Sequence, residues 1–570
     1  MIRKQDPRIA TPNMLPPRYS MPFALWRMPV SLSPFVVATA LAAAAVAPAA
    51  AQQPAPKLLV AISVDQFSAD LFAEYRPLYT AGLKRMSTGA VFPSGYQSHA
   101  ATETCPGHST ILTGSHPART GIIANNWYDL SLARADKKVY CTEDPTVAGS
   151  SSDNYTVSPQ YLKVPTLGDR MKAANPASRV VSVAGKDRAA VMMGGHAIDQ
   201  AWYWGGKSFV TLPGRTGAVP ATVNRINADV LATLARPGRA VLPAACASHS
   251  AAVHVGTRDV GVLIDRKAED FARFRTALDF DREVADLAIG LIGELKLGSG
   301  PAPDVISIGL SATDYVGHGY GTEGAEMCTQ LLGVDNAVGR ILAALDARKV
   351  PYAVVLTADH GGTDLPERSH ARGVPDAVRV DKALLPDAMG AALATEFKLT
   401  GRVLYGDGPF GDMYLSRDIP AELRSRVLAA AKARYLASPQ VAAVFTADEL
   451  RRMPTPTSTP VEEWSLADRF RASFDPERSG DLLVALKPHV TPIATQGGTV
   501  ATHGSPWSYD RRVPMLFYRP GMIGFEQPLS VETVDILPTL ASLIALPVPK
   551  AEIDGRCLDL DPGPADTCAR

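Results

Sequence analysis

The chain has 570 residues, and its 57 basic and 57 acidic side chains leave no formal net charge. Hydrophobic residues make up 46% of the sequence and charged residues 20%, which is typical of globular proteins. This composition excludes collagen-like and disordered chains and polytopic membrane proteins. The length predicts one large domain with insertions, or two or three domains.

The first 51 residues have the features of a secretory signal peptide. Basic residues occur early, and after Arg27 no charged residue appears until Lys57. Residues 35–46 are all apolar or small, and three alanines directly before Gln52 provide a cleavage pattern. We therefore expect cleavage after residue 51 rather than retention as an anchor, and a periplasmic or secreted protein without stable membrane insertion. The remaining chain is mildly acidic, which argues against nucleic acid as a partner.

Export permits disulfide bonds, because the compartments beyond the cytoplasm are oxidising. The chain has six cysteines, which are Cys105, Cys141, Cys246, Cys328, Cys557 and Cys568. Six cysteines allow fifteen pairings. We favour a bond between Cys557 and Cys568 because they are close in sequence. No CxxC pair is present, so a cysteine zinc site is not predicted.

Alternating apolar and helical segments predict an α/β fold with a large, mostly parallel central sheet flanked by helices. Strands are predicted at residues 58–64, 180–184, 304–309, 353–357 and 513–518. Helices are predicted at residues 275–295, 327–345, 421–437 and 531–543. Residues 190–270, with few clear core strands, and residues 366–480 are interpreted as cap insertions in one catalytic domain of residues 52–570. Two independent domains are the alternative.

Three predicted strands each lead into an aspartate. Asp65 follows the first of these strands, Asp314 follows the second, and Asp359 ends the third. Because the carboxyl ends of parallel strands share one edge of a sheet, we expect the three carboxylates to converge there. Crowded carboxylates repel one another and require a positive partner.

Histidines near these aspartates indicate that the positive partner is a metal. His318 lies four residues after Asp314, on the same face if the segment is helical, and His360 directly follows Asp359. Mixed carboxylate and imidazole ligands suit zinc or a similar metal better than calcium or magnesium. By its local sequence alone, His503 is a weaker candidate for a third imidazole.

The segment from Thr102 to Thr110 has the pattern of a loop that enters a helix, with Pro106 in the first turn. A hydroxyl at a helix N-terminus meets free amide groups that favour an anion such as phosphate. Thr104 is therefore a candidate nucleophile, and the alternative is a simple N-cap residue. By spacing alone, Lys186 and Arg188 resemble a solvated charge run, and Asn125 resembles a turn residue.

Together these segments resemble the alkaline phosphatase superfamily, in particular the monomeric threonine-nucleophile alkaline phosphatases related to type I phosphodiesterases and nucleotide pyrophosphatases. The resemblance extends from Asp65 to His503 and includes seven motifs in order: SVDQF, TETCPGHSTILTG, GIIANNWYD, GKDR, SATDYVGHGYG, TADHGG and THGSPWSYDRRVPM. A single motif of this kind would be weak, whereas seven in one order are highly specific.

The resemblance implies a site with two zinc ions. One zinc would be held by Asp65, Thr104, Asp359 and His360, and the other by Asp314, His318 and His503. The same comparison makes Thr104 the nucleophile and Asn125 a donor to a phosphate oxygen. Lys186 and Arg188 match a basic pair that contacts the phosphoryl group in phosphomonoesterases of this branch.

The implied function is that of an exported alkaline phosphatase, a monomer that hydrolyses small-molecule phosphate monoesters through a phosphothreonine intermediate. A nucleotide pyrophosphatase or phosphodiesterase is the nearest alternative, but such enzymes lack the Lys186 and Arg188 pair. A sulfatase is disfavoured because Pro106 directly follows Cys105, without the intervening residue of the sulfatase signature. A catalytically silent binding protein is the alternative of a different class. Cys105 is expected to be a buried thiol or to pair with Cys141.

Overall fold

The computed structural model describes residues 54–214, 217–456, 459–495 and 497–569. The predicted signal peptide lies outside the described residues. Within the described chain, no helix is both long and apolar enough to cross a membrane.

A large sheet forms the centre of the fold, and ten strands of the described chain belong to it. In spatial order nine of them are Phe525–Glu526, Ala90–Tyr96, Arg512–Tyr518, Tyr352–Thr357, Leu58–Val64, Asp304–Leu310, Val180–Ala184, Gln200–Trp204 and Phe209–Thr211. The tenth strand, Val531–Glu532, also pairs with Ala90–Tyr96. The predicted α/β fold with a large, mostly parallel sheet is confirmed.

The strand Leu58–Val64 shows why this sheet is buried on both faces. It pairs in parallel with Asp304–Leu310 on one side and with Tyr352–Thr357 on the other. Its side chains alternate between two apolar clusters, so that Val60 packs in one cluster and Leu59 in the other. Such two-sided burial explains the continuous apolar runs of the central strands.

Helices cover both faces of the sheet and the segments around it. The longer helices are Ala69–Tyr75, Thr104–Ile111, Leu167–Ala174, Asp187–Gly194, Ala221–Leu234, Leu278–Glu294, Ala312–Tyr320, Ala325–Arg348, Pro386–Phe397, Ala421–Leu436, Leu466–Ser473 and Ile536–Leu543. The shorter helices are Gly82–Met86, Pro117–Thr120, Phe271–Phe274, Pro366–Ala371, Ala447–Arg452 and Ser508–Arg511.

Three features of the sheet differ from the sequence prediction. Arg512–Tyr518 forms the predicted strand but runs antiparallel to both neighbours, a direction that local sequence does not encode. Gln200–Trp204 and Phe209–Thr211 extend the sheet, although few core strands were expected between residues 190 and 270. The last helix begins at Ile536 rather than residue 531, because Val531–Glu532 pairs with the sheet.

A second, antiparallel sheet lies within the C-terminal half of the chain. Its strands are Leu404–Tyr405, Gly411–Leu415, Val441–Thr446 and Leu482–Leu486. Apolar side chains of the helix Ala421–Leu436 pack with those of this sheet. Together they form a hydrophobic cluster that is separate from the two clusters of the central sheet. Two-stranded pairs complete the fold: Asn126–Tyr128 with Lys138–Tyr140, Val253–Val255 with Arg258–Val260, and Val378–Arg379 with Val490–Thr491.

All six cysteines form disulfide bonds. The pairs are Cys105–Cys141, Cys246–Cys328 and Cys557–Cys568. The favoured pair near the C-terminus is therefore confirmed, and of the two alternatives for Cys105 the structure shows the bond with Cys141.

Candidate active site

The three strand-end aspartates converge at one edge of the central sheet. Asp65 follows Leu58–Val64, Asp359 lies just beyond Tyr352–Thr357, and Asp314 lies in the helix that follows Asp304–Leu310. All three side chains are buried. The parallel pairing of these strands brings together residues that are about 250 to 300 positions apart in sequence, as the strand-end argument requires.

A buried lysine lies between two of these carboxylates. The Lys186 ammonium nitrogen is 2.6 Å from Asp65 Oδ2 and 2.5 Å from Asp314 Oδ2. Burial alone would lower the pKa of Lys186, but the two carboxylates raise it above its usual value. The interpretation of this segment as a solvated charge run is therefore wrong for Lys186.

The carboxylates and imidazoles form two groups with the donor atoms of a metal site. The groups are Asp65 with Asp359 and His360, and Asp314 with His318 and His503; within each, one ligand atom per residue lies within 4.8 Å of the others. The helix Ala312–Tyr320 places Asp314 and His318 on one face, as their spacing predicts. The two groups are adjacent, because the rings of His360 and His503 stack 3.6 Å apart.

Each of the three imidazoles is held through its Nδ1 atom by a backbone carbonyl. His318 Nδ1 is 3.0 Å from the oxygen of Ala501, and His503 Nδ1 is 2.8 Å from that of Thr102. His360 Nδ1 lies 2.8 Å from the oxygen of Gly361. These contacts fix the tautomer in which Nδ1 donates, and they leave each Nε2 as an acceptor for a metal.

The unsatisfied atoms of the site fit a divalent cation. Oδ1 of Asp65, Oδ1 of Asp314 and Nε2 of His360 are buried without a hydrogen-bond partner. Burial and repulsion from Asp359 raise the pKa of Asp65, whereas burial lowers the pKa of His360 to about 3. A cation would relieve the repulsion between the carboxylates and bind the neutral imidazole, so the residues present fit a metal.

Thr104 is the first residue of the helix Thr104–Ile111, and Glu103 is its N-cap residue. The alternative that Thr104 is only an N-cap is therefore wrong. Gly107 allows this helix to approach the end of the neighbouring strand, because a Cβ atom there would lie 2.0 Å from the carbonyl oxygen of Asp359. This close approach places the Thr104 helix beside the group that contains Asp65 and Asp359.

Two basic side chains lie near the hydroxyl of Thr104, and an amide side chain contacts the backbone of the next residue. Lys186 Nζ and Arg188 Nη2 each lie 3.5 Å from Thr104 Oγ1. The Asn125 side chain accepts a hydrogen bond from the Cys105 N–H at 2.8 Å through Oδ1, which leaves its NH₂ group as a donor. The structure thus brings together all ten residues proposed from the sequence.

The family model described as type I phosphodiesterase / nucleotide pyrophosphatase matches residues 59–506. This chain belongs to that family. The match covers every residue of the candidate site and confirms the relationship inferred from the motifs.

Several members of the wider superfamily are similar to this chain over most of its length. Alkaline phosphatase PhoD of Zymomonas mobilis is 57% identical over 516 residues, which are 90% of this chain and 89% of that protein. Alkaline phosphatase PhoK of a Sphingomonas species is 56% identical over 90% of this chain and 93% of its own length. The crystal structure of wild-type alkaline phosphatase PafA superimposes with a TM-score of 0.77 at 26% identity, covering 89% of this chain and 99% of that one.

In this family member, Arg188 is held by tyrosine and aspartate side chains that the sequence motifs do not indicate. Tyr140 accepts a hydrogen bond from Arg188 Nη1 at 3.3 Å and donates one to Asp187 Oδ1 at 2.9 Å. Tyr155 also donates to Asp187, at 2.9 Å. In the local sequence, only the position of Tyr140 next to Cys141 could indicate this role, because the disulfide bond of Cys141 to Cys105 links the segment to the Thr104 helix.

Asp281 is a second residue that the motifs do not reveal. Its Oδ1 accepts hydrogen bonds from the backbone N–H groups of Ser311 and Ala312, at 2.9 and 3.1 Å. Asp281 thereby anchors the start of the helix that carries Asp314. Burial raises the pKa of Asp281 to about 7. Asp281 is far from this helix in sequence, so no spacing pattern indicates the contact.

Proposed function

We propose that this protein is an exported, zinc-dependent alkaline phosphatase that hydrolyses phosphate monoesters through a covalent phosphothreonine intermediate. One observation carries the proposal: Lys186 and Arg188 lie at equal distances, 3.5 Å, from the hydroxyl of Thr104, beside two groups with metal-ligand chemistry. The relatives at 57% and 56% identity, both named alkaline phosphatases, support the monoester assignment.

The residues of the site define two transfer steps. The Thr104 hydroxyl loses its proton and attacks phosphorus, the bond from phosphorus to the alcohol oxygen breaks, and the alcohol leaves after taking up a proton from solvent. A water molecule then attacks the same phosphorus, breaks its bond to Thr104 Oγ and releases phosphate, and the Thr104 oxygen regains a proton. Asn125, Lys186 and Arg188 bind the oxygens of the phosphoryl group while it is transferred.

Two zinc ions fit the acidic and imidazole groups of the site. One would be held by Asp65, Thr104, Asp359 and His360, and the other by Asp314, His318 and His503. When bound, the zinc ions supply Lewis-acid chemistry that lowers the pKa of the attacking hydroxyl and neutralises the leaving oxygen.

The nucleophile is tested by replacing Thr104 with alanine. Thr104→Ala should abolish hydrolysis of p-nitrophenyl phosphate, because no other hydroxyl is proposed to form the covalent intermediate. Thr104→Ser is the matched control, and it should keep measurable turnover. Mass spectrometry of acid-quenched wild-type enzyme should locate phosphate on Thr104. Near-normal activity of Thr104→Ala, with an unchanged far-UV spectrum, would refute the assignment.

A phosphodiesterase is the second candidate, because the family model is named for that activity. A monoester dianion carries more charge on its terminal oxygens than a diester monoanion, so the cationic pair favours monoesters. We expect kcat/KM for p-nitrophenyl phosphate to exceed that for bis-p-nitrophenyl phosphate about a hundredfold, which corresponds to about 2.7 kcal/mol.

Removal of the cationic pair tests the origin of this preference. Lys186→Ala combined with Arg188→Ala should reduce monoester hydrolysis far more than diester hydrolysis, as measured by kcat/KM for the same two substrates. Equal losses on both substrates would show that the pair does not determine the monoester preference.

Export is tested by the N-terminus of the mature protein. Cleavage before Gln52 and recovery from the periplasmic or secreted fraction are the expected results. An intact N-terminus in the membrane fraction would instead indicate an anchor.

A further inference from the structure

An open cavity of about 420 Å³ adjoins the candidate active site. Lys186 and Arg188 line it, as does Arg275, a residue that the sequence motifs do not include. Of the described residues, none of the proposed metal ligands lines this cavity. The cavity therefore continues from the phosphoryl-binding pair toward solvent.

Arg275 is held in this cavity by stacking rather than by an acidic partner. Its guanidinium carbon lies 4.6 Å from the centroid of the Tyr315 ring, and Lys186 Nζ lies 5.2 Å from the same ring. Within the described part of the chain, Arg275 forms neither an ion pair nor a side-chain hydrogen bond. Stacking on an aromatic face leaves the donors at the edge of the guanidinium plane free to bind an anion.

Buried aromatic rings fix the position of Arg275. The preceding residue, Phe274, is buried and packs at 5.5 Å from Trp204 and at 5.6 Å from Phe280. The Phe280 ring in turn lies 6.0 Å from the Tyr315 ring. Both the backbone of Arg275 and the ring beneath its guanidinium are thus attached to one rigid cluster.

Side chains that line this cavity carry unpaired hydrogen-bond donors. Arg188 Nε and Trp204 Nε1, both on lining residues, are buried without a partner. Of the two lining carboxylates, Asp187 already accepts hydrogen bonds from two tyrosines and from a backbone N–H, and Asp153 is exposed. Positive charge and unpaired donors favour an anionic ligand.

We propose that this cavity is a second anion subsite, in which Arg275 binds a further phosphate or carboxylate of the substrate. The reacting phosphoryl group would at the same time lie against Thr104, Lys186 and Arg188. The preferred substrates are then monoesters that carry a second anionic group. This inference rests on the proposed phosphatase function, and it extends that function by naming a substrate class.

The subsite is tested with fructose 1,6-bisphosphate and fructose 6-phosphate, which differ by one phosphate. Arg275→Gln should reduce kcat/KM for the bisphosphate at least about fivefold more than for the monophosphate, because it removes one charge-assisted contact. Arg275→Lys should restore part of the difference, since it restores the charge. Arg225→Gln, at an exposed arginine on the helix Ala221–Leu234, is the control and should leave both values unchanged. Equal losses on both sugars would overturn the proposal.

A binding measurement separates this inference from the phosphatase assignment. Calorimetric titration of each sugar phosphate into the metal-loaded Thr104→Ala protein needs no turnover. In Thr104→Ala the bisphosphate should bind more tightly than the monophosphate, and this difference should disappear in the double variant that also carries Arg275→Gln. That result would support the subsite even if the wild-type enzyme hydrolysed neither ester. Equal affinity for the two sugars, with or without Arg275, would refute the subsite even if both were hydrolysed.

Discussion

Tyr140 shows how a single hydroxyl positions a cationic side chain at the site. Its oxygen contacts both Arg188 and Asp187, whereas the hydroxyl of Tyr155 contacts Asp187. The two tyrosine rings pack 4.4 Å apart, but of the two hydroxyls only that of Tyr140 contacts Arg188. Tyr140 is thus a positioning residue for Arg188 in the proposed reaction.

Replacing Tyr140 with phenylalanine should weaken catalysis through Arg188. A hydrogen bond to a charged group contributes about 1.5–3 kcal/mol, so Tyr140→Phe is expected to lower monoester kcat/KM about tenfold or more. Diester kcat/KM should fall less, because Arg188 is proposed to act on the monoester dianion. Tyr155→Phe is the matched control and should have a smaller effect on the monoester. If both variants lost the same activity on both substrates, Tyr140 would have only a structural role.

At the scale of elements, a disulfide bond joins the Thr104 helix to the hairpin formed by the strands Asn126–Tyr128 and Lys138–Tyr140. Cys105 follows Thr104 directly, and Cys141 follows the strand Lys138–Tyr140. The same hairpin region contains Asn125, whose side chain caps the N–H of Cys105. One covalent bond thus constrains Thr104, the proposed nucleophile, together with Asn125 and Tyr140.

Removing this disulfide bond should reduce activity more than removing the bond near the C-terminus. Cys105→Ser with Cys141→Ser is expected to lower both kcat and the unfolding midpoint, because a disulfide typically contributes about 2–4 kcal/mol to stability. Cys557→Ser with Cys568→Ser should lower stability and leave kcat near that of the wild type. Unchanged kcat in the first double variant, measured below its unfolding temperature, would contradict the positioning role.

At the scale of the whole molecule, the two candidate metal-binding groups join distant parts of the chain. One group combines Asp65 with Asp359 and His360, and the other combines a helix with the late residue His503. A metal that binds only the folded arrangement stabilises it by mass action.

Chelation should therefore destabilise the protein as well as inactivate it. We expect removal of metal by EDTA to lower the unfolding midpoint by about 5 °C or more, with recovery when zinc is added back. In His503→Ala, chelation should lower the unfolding midpoint less than in the wild type, because the group of Asp314, His318 and His503 already lacks one ligand. An unchanged midpoint after metal analysis has confirmed removal would contradict the structural role.

Much of the fold follows from patterns within the sequence. The central strands were predictable because burial on both faces leaves continuous apolar runs, and Leu58–Val64 and Val180–Ala184 have the predicted bounds. The strand Gln200–Trp204 was not predicted, because a run of aromatic residues followed by glycines occurs both in strands near a sheet edge and in inserted segments. The boundaries of the proposed cap insertions stay predictions.

The sequence by itself determined which residues are candidates for the chemistry, because an aspartate at a strand end and its attached histidine are encoded within a few positions. Tertiary structure decided that His503 joins Asp314 and His318, since this contact spans almost 190 residues and depends on how the sheet is assembled. It also decided the burial of Lys186, the support of Arg188 by Tyr140 and the place of Arg275. Each of these depends on packing between distant segments, and packing leaves no periodic signal in any one of them.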